Sequence, residues 1–126
     1  MNSDYNFKFE DLQVYQKAMD FGEVVNKIVK DFPKHELYAL SSQFRRAADS
    51  IALNLAEGCP GSDAQFVKHI NHAIYSANEC VSCSTKAIRR NYISHQQNEE
   101  NRKLISEMTK MMSSLRNKIL ERNKKY

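Results

Sequence analysis

The sequence has no tryptophan and only three glycines, two prolines and three cysteines among its 126 residues. Each shortage excludes something. With so few helix breakers the chain is left with long uninterrupted segments, for which helices are the natural reading. Three cysteines, Cys59, Cys80 and Cys83, are an odd number and too few for a disulfide framework, which agrees with a reducing compartment. No apolar run approaches the roughly 18 residues of a membrane span. The opening MNSDYNFKFEDL carries early acids where a signal peptide needs an apolar core. A soluble, cytoplasmic protein without membrane association is therefore expected. Gly58-Cys59-Pro60-Gly61 matches neither a Walker A loop nor a dinucleotide fingerprint, so no phosphate-cradling loop is read.

What is present is charge, unevenly placed. Residues 1–85 hold eight Lys/Arg against eleven Asp/Glu, whereas residues 86–126 hold eleven against four, within a total of +4. The basic character belongs to the C-terminal third. Such a skew marks either an anion-binding face or a solvated, lysine-rich last helix. The length fits one domain with a single core. The expected organisation is an N-terminal arm over residues 1–8, a helical domain over 9–120 and a basic tail over 121–126.

Periodicity divides that domain into four helices. In the first, about Glu10 to Asp31, Leu12, Val14, Tyr15, Ala18, Met19, Phe21, Val25, Ile28, Val29 and Phe32 recur at spacings of three and four. Pro33 closes it, because proline pushes the preceding residue out of the helical region and lacks the amide donor. Gly22 inside it is either tolerated or marks a close helix contact. The second helix spans about Glu36 to Glu57. At about 100° per residue, Leu37, Leu40, Phe44, Ala48, Ile51 and Leu55 form its core band, with Ala47 and Ala52 on the shoulders. Gln43, Ser50 and Asn54 lie on one flank, with Arg46 and Glu57 a little further round. Small and amide side chains there let another helix approach closely, from the same subunit or a neighbour.

Gly58, Cys59, Pro60 and Gly61 break the second helix, and Ser62 with Gln65 makes a capping box for the third. The third helix buries Phe66, Ile70, Ala73, Ile74, Ala77, Val81 and Ile88 and ends near Asn91. Ser94 with Gln97 repeats the box before a fourth helix carrying Leu104, Ile105, Met108, Met111, Met112, Leu115 and Ile119. Short connections force neighbours to run antiparallel. The expected fold is all-α, an up-down-up-down four-helix bundle.

Catalytic chemistry finds little support in the residue types. Di-iron bundles use Glu-x-x-His, yet His35, His69, His72 and His95 follow Phe32, Phe66, His69 and Tyr92 by three. His69, His72, Cys80 and Cys83 look like a zinc quartet, but His72 and Cys80 sit eight residues apart on one helix, about 12 Å, too far to share a tetrahedral ion. Cys80-x-x-Cys83 lies in mid-helix, away from the helix N-terminus that activates redox thiols, and is read as a pair of packed cysteines. No catalytic residue, metal or cofactor is expected, and the chain is not read as an enzyme.

The segment Phe32-Pro33-Lys34, Glu36-Leu37-Tyr38-Ala39-Leu40, Ser42 to Ala48, Ser50-Ile51 and Asn54-Leu55-Ala56-Glu57-Gly58 closely resembles the four-helix bundle family of the 23S ribosomal RNA intervening-sequence protein. The likeness is ordered and gapless. It extends back to Leu12-Gln13-Val14-Tyr15-Gln16-Lys17-Ala18 and onward through helix three, covering about residues 9–120. The resemblance implies a ring-shaped homo-oligomer, typically a pentamer. It also implies RNA association, since similar bundles serve as accessory proteins of diversity-generating retroelements. The flank of Gln43, Arg46, Ser50, Asn54 and Glu57 then becomes the expected subunit contact.

One departure bears on function. Where many relatives carry basic residues before helix three, this chain has Cys59 to Gln65, without Lys or Arg until Lys68. Positive charge for RNA must come instead from Arg45, Arg46, Lys86, Arg89, Arg90, Arg116, Lys118, Arg122, Lys124 and Lys125. For Arg45 and Arg46 an ion-pair or interface role competes with RNA contact. Two functions follow from different classes. One is a non-enzymatic RNA-associated ring that multiplies a weak basic patch; the other is a protein-interaction scaffold docking a partner through the helix-two flank and Tyr5, Phe7 and Phe9.

Overall fold

Two Ser-x-x-Gln pairs set the frame of the molecule, which a computed structural model describes over residues 3–124. The Ser62 hydroxyl accepts the Gln65 amide at 3.2 Å, and the Gln65 side chain accepts the Ser62 amide at 3.2 Å. Ser94 and Gln97 do the same at 3.0 and 2.8 Å. Each box satisfies two amides that a helix start leaves without an intrahelical partner. The helices are α1 (Gln13–Val29), α2 (Leu40–Gly58), α3 (Asp63–Arg89) and α4 (His95–Asn123), with short 3₁₀ turns at Lys8–Asp11 and Lys34–Glu36. Among the described residues there is no strand.

Residue pairing fixes the directions. Asn54 meets His69, Ser50 meets Ser76 and Gln43 meets Glu79, so α2 and α3 run antiparallel. Ser84 meets Asn98 and Asn101, Asn71 meets Arg116 and Asp63 meets Arg122, which orients α4 against α3. Gly22 faces Asp49 across α1 and α2, and Lys17 reaches Glu107 on α4 at 3.7 Å. The result is the four-helix bundle expected from the sequence. One end, here the head, gathers the α1–α2 connector, the last turn of α3 and the start of α4. The other, the foot, gathers the α2–α3 turn and the end of α4.

The core runs the length of the bundle. Phe21, Phe44, Ile51, Leu55, Ile70, Met108, Met112 and Ile119 are fully buried. Each such side chain contributes at most about 1.5–3 kcal/mol through removal of apolar surface from water. Small residues of α3, Ala73, Ala77 and Ala87, are also sealed and let α2 and α4 approach. Gly58 shows how close that approach is: a Cβ there would lie 2.5 Å from His69 Cβ. Its role is space. The backbone at Gly58 stays helical, and the Cys59 amide still donates to Leu55 at 3.1 Å. The left-handed residue is instead Asn91, at φ 61°, where α3 ends in a Schellman motif with Tyr92 N–H on Ala87 C=O and Asn91 N–H on Ile88 C=O.

Four expectations are corrected. The first helix begins at Gln13, because Lys8–Asp11 forms a 3₁₀ turn and Leu12 is extended at φ −70°, ψ 120°. Met19 is 48% exposed: Val14, Ala18, Phe21 and Val25 point inward, and Met19 stands about 100° round from Ala18. The second helix begins at Leu40, since Lys34–Glu36 makes a single 3₁₀ turn and Ala39 leaves the helical region at ψ −106°. Leu37 is consequently 48% exposed and not part of the core band.

Candidate functional site

The flank of α2 faces α3 and is largely satisfied there. Ser76 donates to Ser50 at 3.0 Å, Asn54 donates back to the Ser50 carbonyl at 2.9 Å, and the His69 ring lies 3.1 Å from the Asn54 amide oxygen. Gln43 reaches Glu79 at 3.5 Å. The close approach foreseen for this flank is therefore made by α3 of the same subunit. Arg46 and Glu57 remain exposed on its outer edge. Above the hydrogen-bond ladder runs an open groove of two adjoining hollows, about 540 and 430 Å³, which share Ser50, Ser76 and Glu79. Tyr38 and Tyr75 stand at its rim, 93% and 65% exposed.

The ten basic residues singled out in the sequence do not form one surface. Arg90 donates to the buried Glu36 at 2.7 Å, and the Tyr92 hydroxyl donates to the same carboxylate at 2.8 Å. The Tyr92 hydrogen bond, with Arg90 assisting, holds the Glu36 carboxyl below its ordinary range. Arg116 donates to Asn71 at 2.8 Å, and Arg122 clasps Asp63 with two N–H groups. Arg45 is half-buried beside the Asp49 carboxyl, whose own value is raised by burial and by Glu23, with Arg45 acting the other way. Its Nε is buried without a hydrogen-bond partner among the described residues. Arg90, Arg116 and Arg122 are tied into the fold by these bonds, and Arg45 by its partial burial.

Arg46, Lys86, Arg89, Lys118 and Lys124 are exposed and make no ion pair among the described residues, while Lys125 lies outside them. The helices carry Lys86 and Arg89 to the head and Lys118 and Lys124 to the foot. α3 alone, at 27 residues, separates the two ends by about 40 Å. The chain of charge in the sequence is thus split in space.

Thiol and metal chemistry can be judged from burial. Cys80 and Cys83 have no exposed surface. Burial raises both thiols; Cys83 is pushed up to about 11, and Cys80 higher still, with the adjoining Cys83 adding to it. Neither is a nucleophile near neutral pH. Among the described residues no group of three His, Cys, Asp or Glu side chains converges on a metal-sized space. His69 and His72 stand with ring centroids 6.3 Å apart, and His69 is taken up by Asn54.

Sequence reasoning passed over three features. Glu36 is the one buried carboxylate among the described residues, and nothing in its local sequence marks it; its partners are 54 and 56 residues away. Asn98 and Asn101 are buried against Ser84, where a helical apolar stripe has no place for amides. Lys27, Lys30 and Lys34, all exposed at the head, also went unremarked because they lie in the acidic two-thirds of the chain.

The family model of the 23S rRNA-intervening sequence protein matches residues 10–114. The chain belongs to that family. A solved structure with the same fold is a protein of unknown function from the S23 ribosomal protein family of Bacteroides thetaiotaomicron, with a TM-score of 0.76 and 26% identity, covering 82% of this chain and 95% of that one. No functionally curated protein matches.

Proposed function

We propose that this member of the 23S rRNA-intervening sequence protein family is a non-enzymatic assembly protein. In this reading copies of the bundle form a ring-like homo-oligomer, a pentamer by family likeness, and the ring associates with RNA through repeated basic surfaces. The observation that carries the reading is the α2–α3 groove. It is polar and open, lined by Gln43, Arg46, Ser50, Asn54 and Ser76, with Tyr75 exposed at its rim and Glu57 exposed further along α2. A ring needs a head-to-tail contact, in which this groove meets a different face of the neighbouring copy. A ring multiplies phosphate contacts that would be weak in one copy.

Size-exclusion chromatography with light scattering, recording absorbance at 260 and 280 nm on the same peak, tests both parts. A mass of several copies is expected; a single-copy mass refutes the ring. Tyr75→Glu is expected to lower that mass. Anisotropy of labelled ribosomal RNA fragments is expected to show binding at low ionic strength that weakens steeply with salt. Absence of binding at low salt refutes the RNA association.

A second reading, a protein-docking scaffold, rests on the N-terminal aromatics. Tyr5 and Phe7 are 80% and 61% exposed, and Phe7 stacks on Phe9, which packs edge-on to Tyr15 at 5.1 Å. Retention of one protein partner after RNase treatment, lost in Tyr5→Ala/Phe7→Ala, favours this reading.

A further inference from the structure

The two ends of the bundle differ in charge in a way the linear sequence conceals. Over residues 27–39 and 82–103, which build the head, there are eight Lys/Arg against four Asp/Glu. Over residues 3–15, 53–67 and 115–124, which build the foot, there are five against six. The head's excess is also available. Lys30, Lys34, Lys86 and Arg89 are exposed and have no carboxylate within ion-pairing distance among the described residues. Of the four acids there, Glu36 is buried and saturated by Arg90 and Tyr92; Asp31 and the α4 residues Glu99 and Glu100 are exposed. At the foot, Arg122 is spent on Asp63, and Lys118 and Lys124 share that end with Asp4, Glu10, Asp11, Glu57 and Glu121.

The head is also firmly built. The Arg90–Glu36–Tyr92 bonds and the Phe32–Tyr92 ring contact, with centroids 5.1 Å apart, pin the α1–α2 connector to the end of α3. Lys34, two residues before Glu36, is thereby held at the same end of the bundle as Arg89, the last residue of α3. The same connector presents Tyr38, whose side chain has no partner ring among the described residues and is almost wholly in solvent. Free cations and an exposed aromatic at one end of the bundle are the elements of a single-strand nucleic-acid surface: ammonium and guanidinium groups take the phosphates and an aromatic face stacks a base.

We infer that the head of the bundle is the RNA-contacting face, that it takes unpaired RNA through Lys30, Lys34, Lys86 and Arg89 on phosphates, and that Tyr38 stacks a base. This rests on the RNA association proposed above and moves its location away from the basic C-terminal tail. In a ring the same face recurs once per subunit, giving a circle of equivalent contacts.

The test uses the full chain, a fluorescein-labelled uridine homopolymer and a duplex of equal length, with anisotropy measured across a salt series. Lys30→Gln/Lys34→Gln/Arg89→Gln is expected to lower the salt slope by about 2, at about 0.7 per lost single-strand phosphate contact. Lys118→Gln/Lys124→Gln is expected to leave the slope unchanged. Tyr38→Ala is expected to weaken homopolymer binding about fivefold or more while sparing the duplex. All are surface changes, and unchanged circular dichroism and elution volume verify the fold. If the foot variant loses the slope and the head variant keeps it, the location is overturned. If the head variant loses the slope but Tyr38→Ala is silent, or duplex binds as tightly as homopolymer, recognition of unpaired RNA is overturned. If the unaltered chain binds neither RNA at low salt, the RNA association fails together with this inference.

Discussion

Removing the Ser84 hydroxyl is expected to cost more than its size suggests. Ser84 is wholly buried between α3 and α4, where its hydroxyl donates to Asn98 at 2.8 Å and accepts from Asn101 at 3.0 Å. Ser84→Ala deletes one small polar group and leaves two amides facing it without a partner. At about 1–3 kcal/mol for each orphaned buried group, less what Asn98 recovers from water at its 8% exposure, the loss is about 2–4 kcal/mol. With an unfolding entropy of about 2.1 cal/mol/K per residue, a 126-residue chain shifts by about 4 °C per kcal/mol, so the Tm is expected to fall by about 8–16 °C. Replacing the amide as well, in Ser84→Ala/Asn101→Leu, removes an unmet partner along with the hydroxyl. Its cost is then expected to undercut the sum of the two single changes by about 1–2 kcal/mol. Urea unfolding followed by circular dichroism measures the cycle, at several protein concentrations because self-association shifts apparent stability. A loss below about 0.5 kcal/mol for Ser84→Ala, or additivity within that margin, refutes the reasoning.

Other outcomes follow from the same structure. Gly58→Ala is expected to destabilise by about 1–3 kcal/mol. His69→Ala in the same chain is expected not to restore stability, because the clash is with His69 Cβ at 2.5 Å and alanine keeps that atom; restoration in thermal melts would contradict this. The Glu36 carboxyl, held down first by the Tyr92 hydroxyl, then by the Leu40 backbone amide and Arg90, stabilises the fold above its ordinary value of 4.5 and ceases to as pH falls through its lowered native value. Glu36→Gln should flatten that acid limb of Tm against pH, and Tyr92→Phe should reduce it; an unaltered limb in both would remove Glu36 from the linkage. Iodoacetamide on the native chain at mildly alkaline pH is expected to label half-buried Cys59 ahead of Cys80 and Cys83, with all three labelled in denaturant; native labelling of Cys80 by mass spectrometry would contradict its burial.

Much of the fold was legible because its determinants are local. Both Ser-x-x-Gln boxes, the proline after Phe32 and the three-and-four spacing of Phe44, Ala48, Ile51 and Leu55 act within one or two turns, and the structure honours each. The start of α2 was misplaced because a distant contact overrides propensity there. Glu36 is drawn inward by Arg90 and Tyr92, so the chain makes a 3₁₀ turn where Glu36-Leu37-Tyr38 would otherwise continue a helix. The basic candidates were hardest to read for the same reason: Arg90, Arg116 and Arg122 find partners 54, 45 and 59 residues away. A count along the chain cannot separate a neutralised guanidinium from a free one. Nor can it see that Lys30 and Lys34, from an acidic stretch, arrive at the same end of the bundle as Arg89.

The bundle is closed unevenly. α2 packs extensively on both α1 and α3, and α3 on α4, whereas α1 and α4 meet sparsely. Between them lies a hollow of about 270 Å³ lined by Phe21, Val24, Leu104 and Met108, crossed by the partly exposed Lys17–Glu107 pair. An exposed pair of that kind adds about 0–1 kcal/mol, little to keep a seam shut. Partial opening should therefore begin with α4 and α1 parting while α2 and α3 stay joined, and native-state hydrogen exchange should protect the α2 and α3 amides longest. The same weak edge gives α4 a route to exchange between copies without unfolding the hairpin that anchors it.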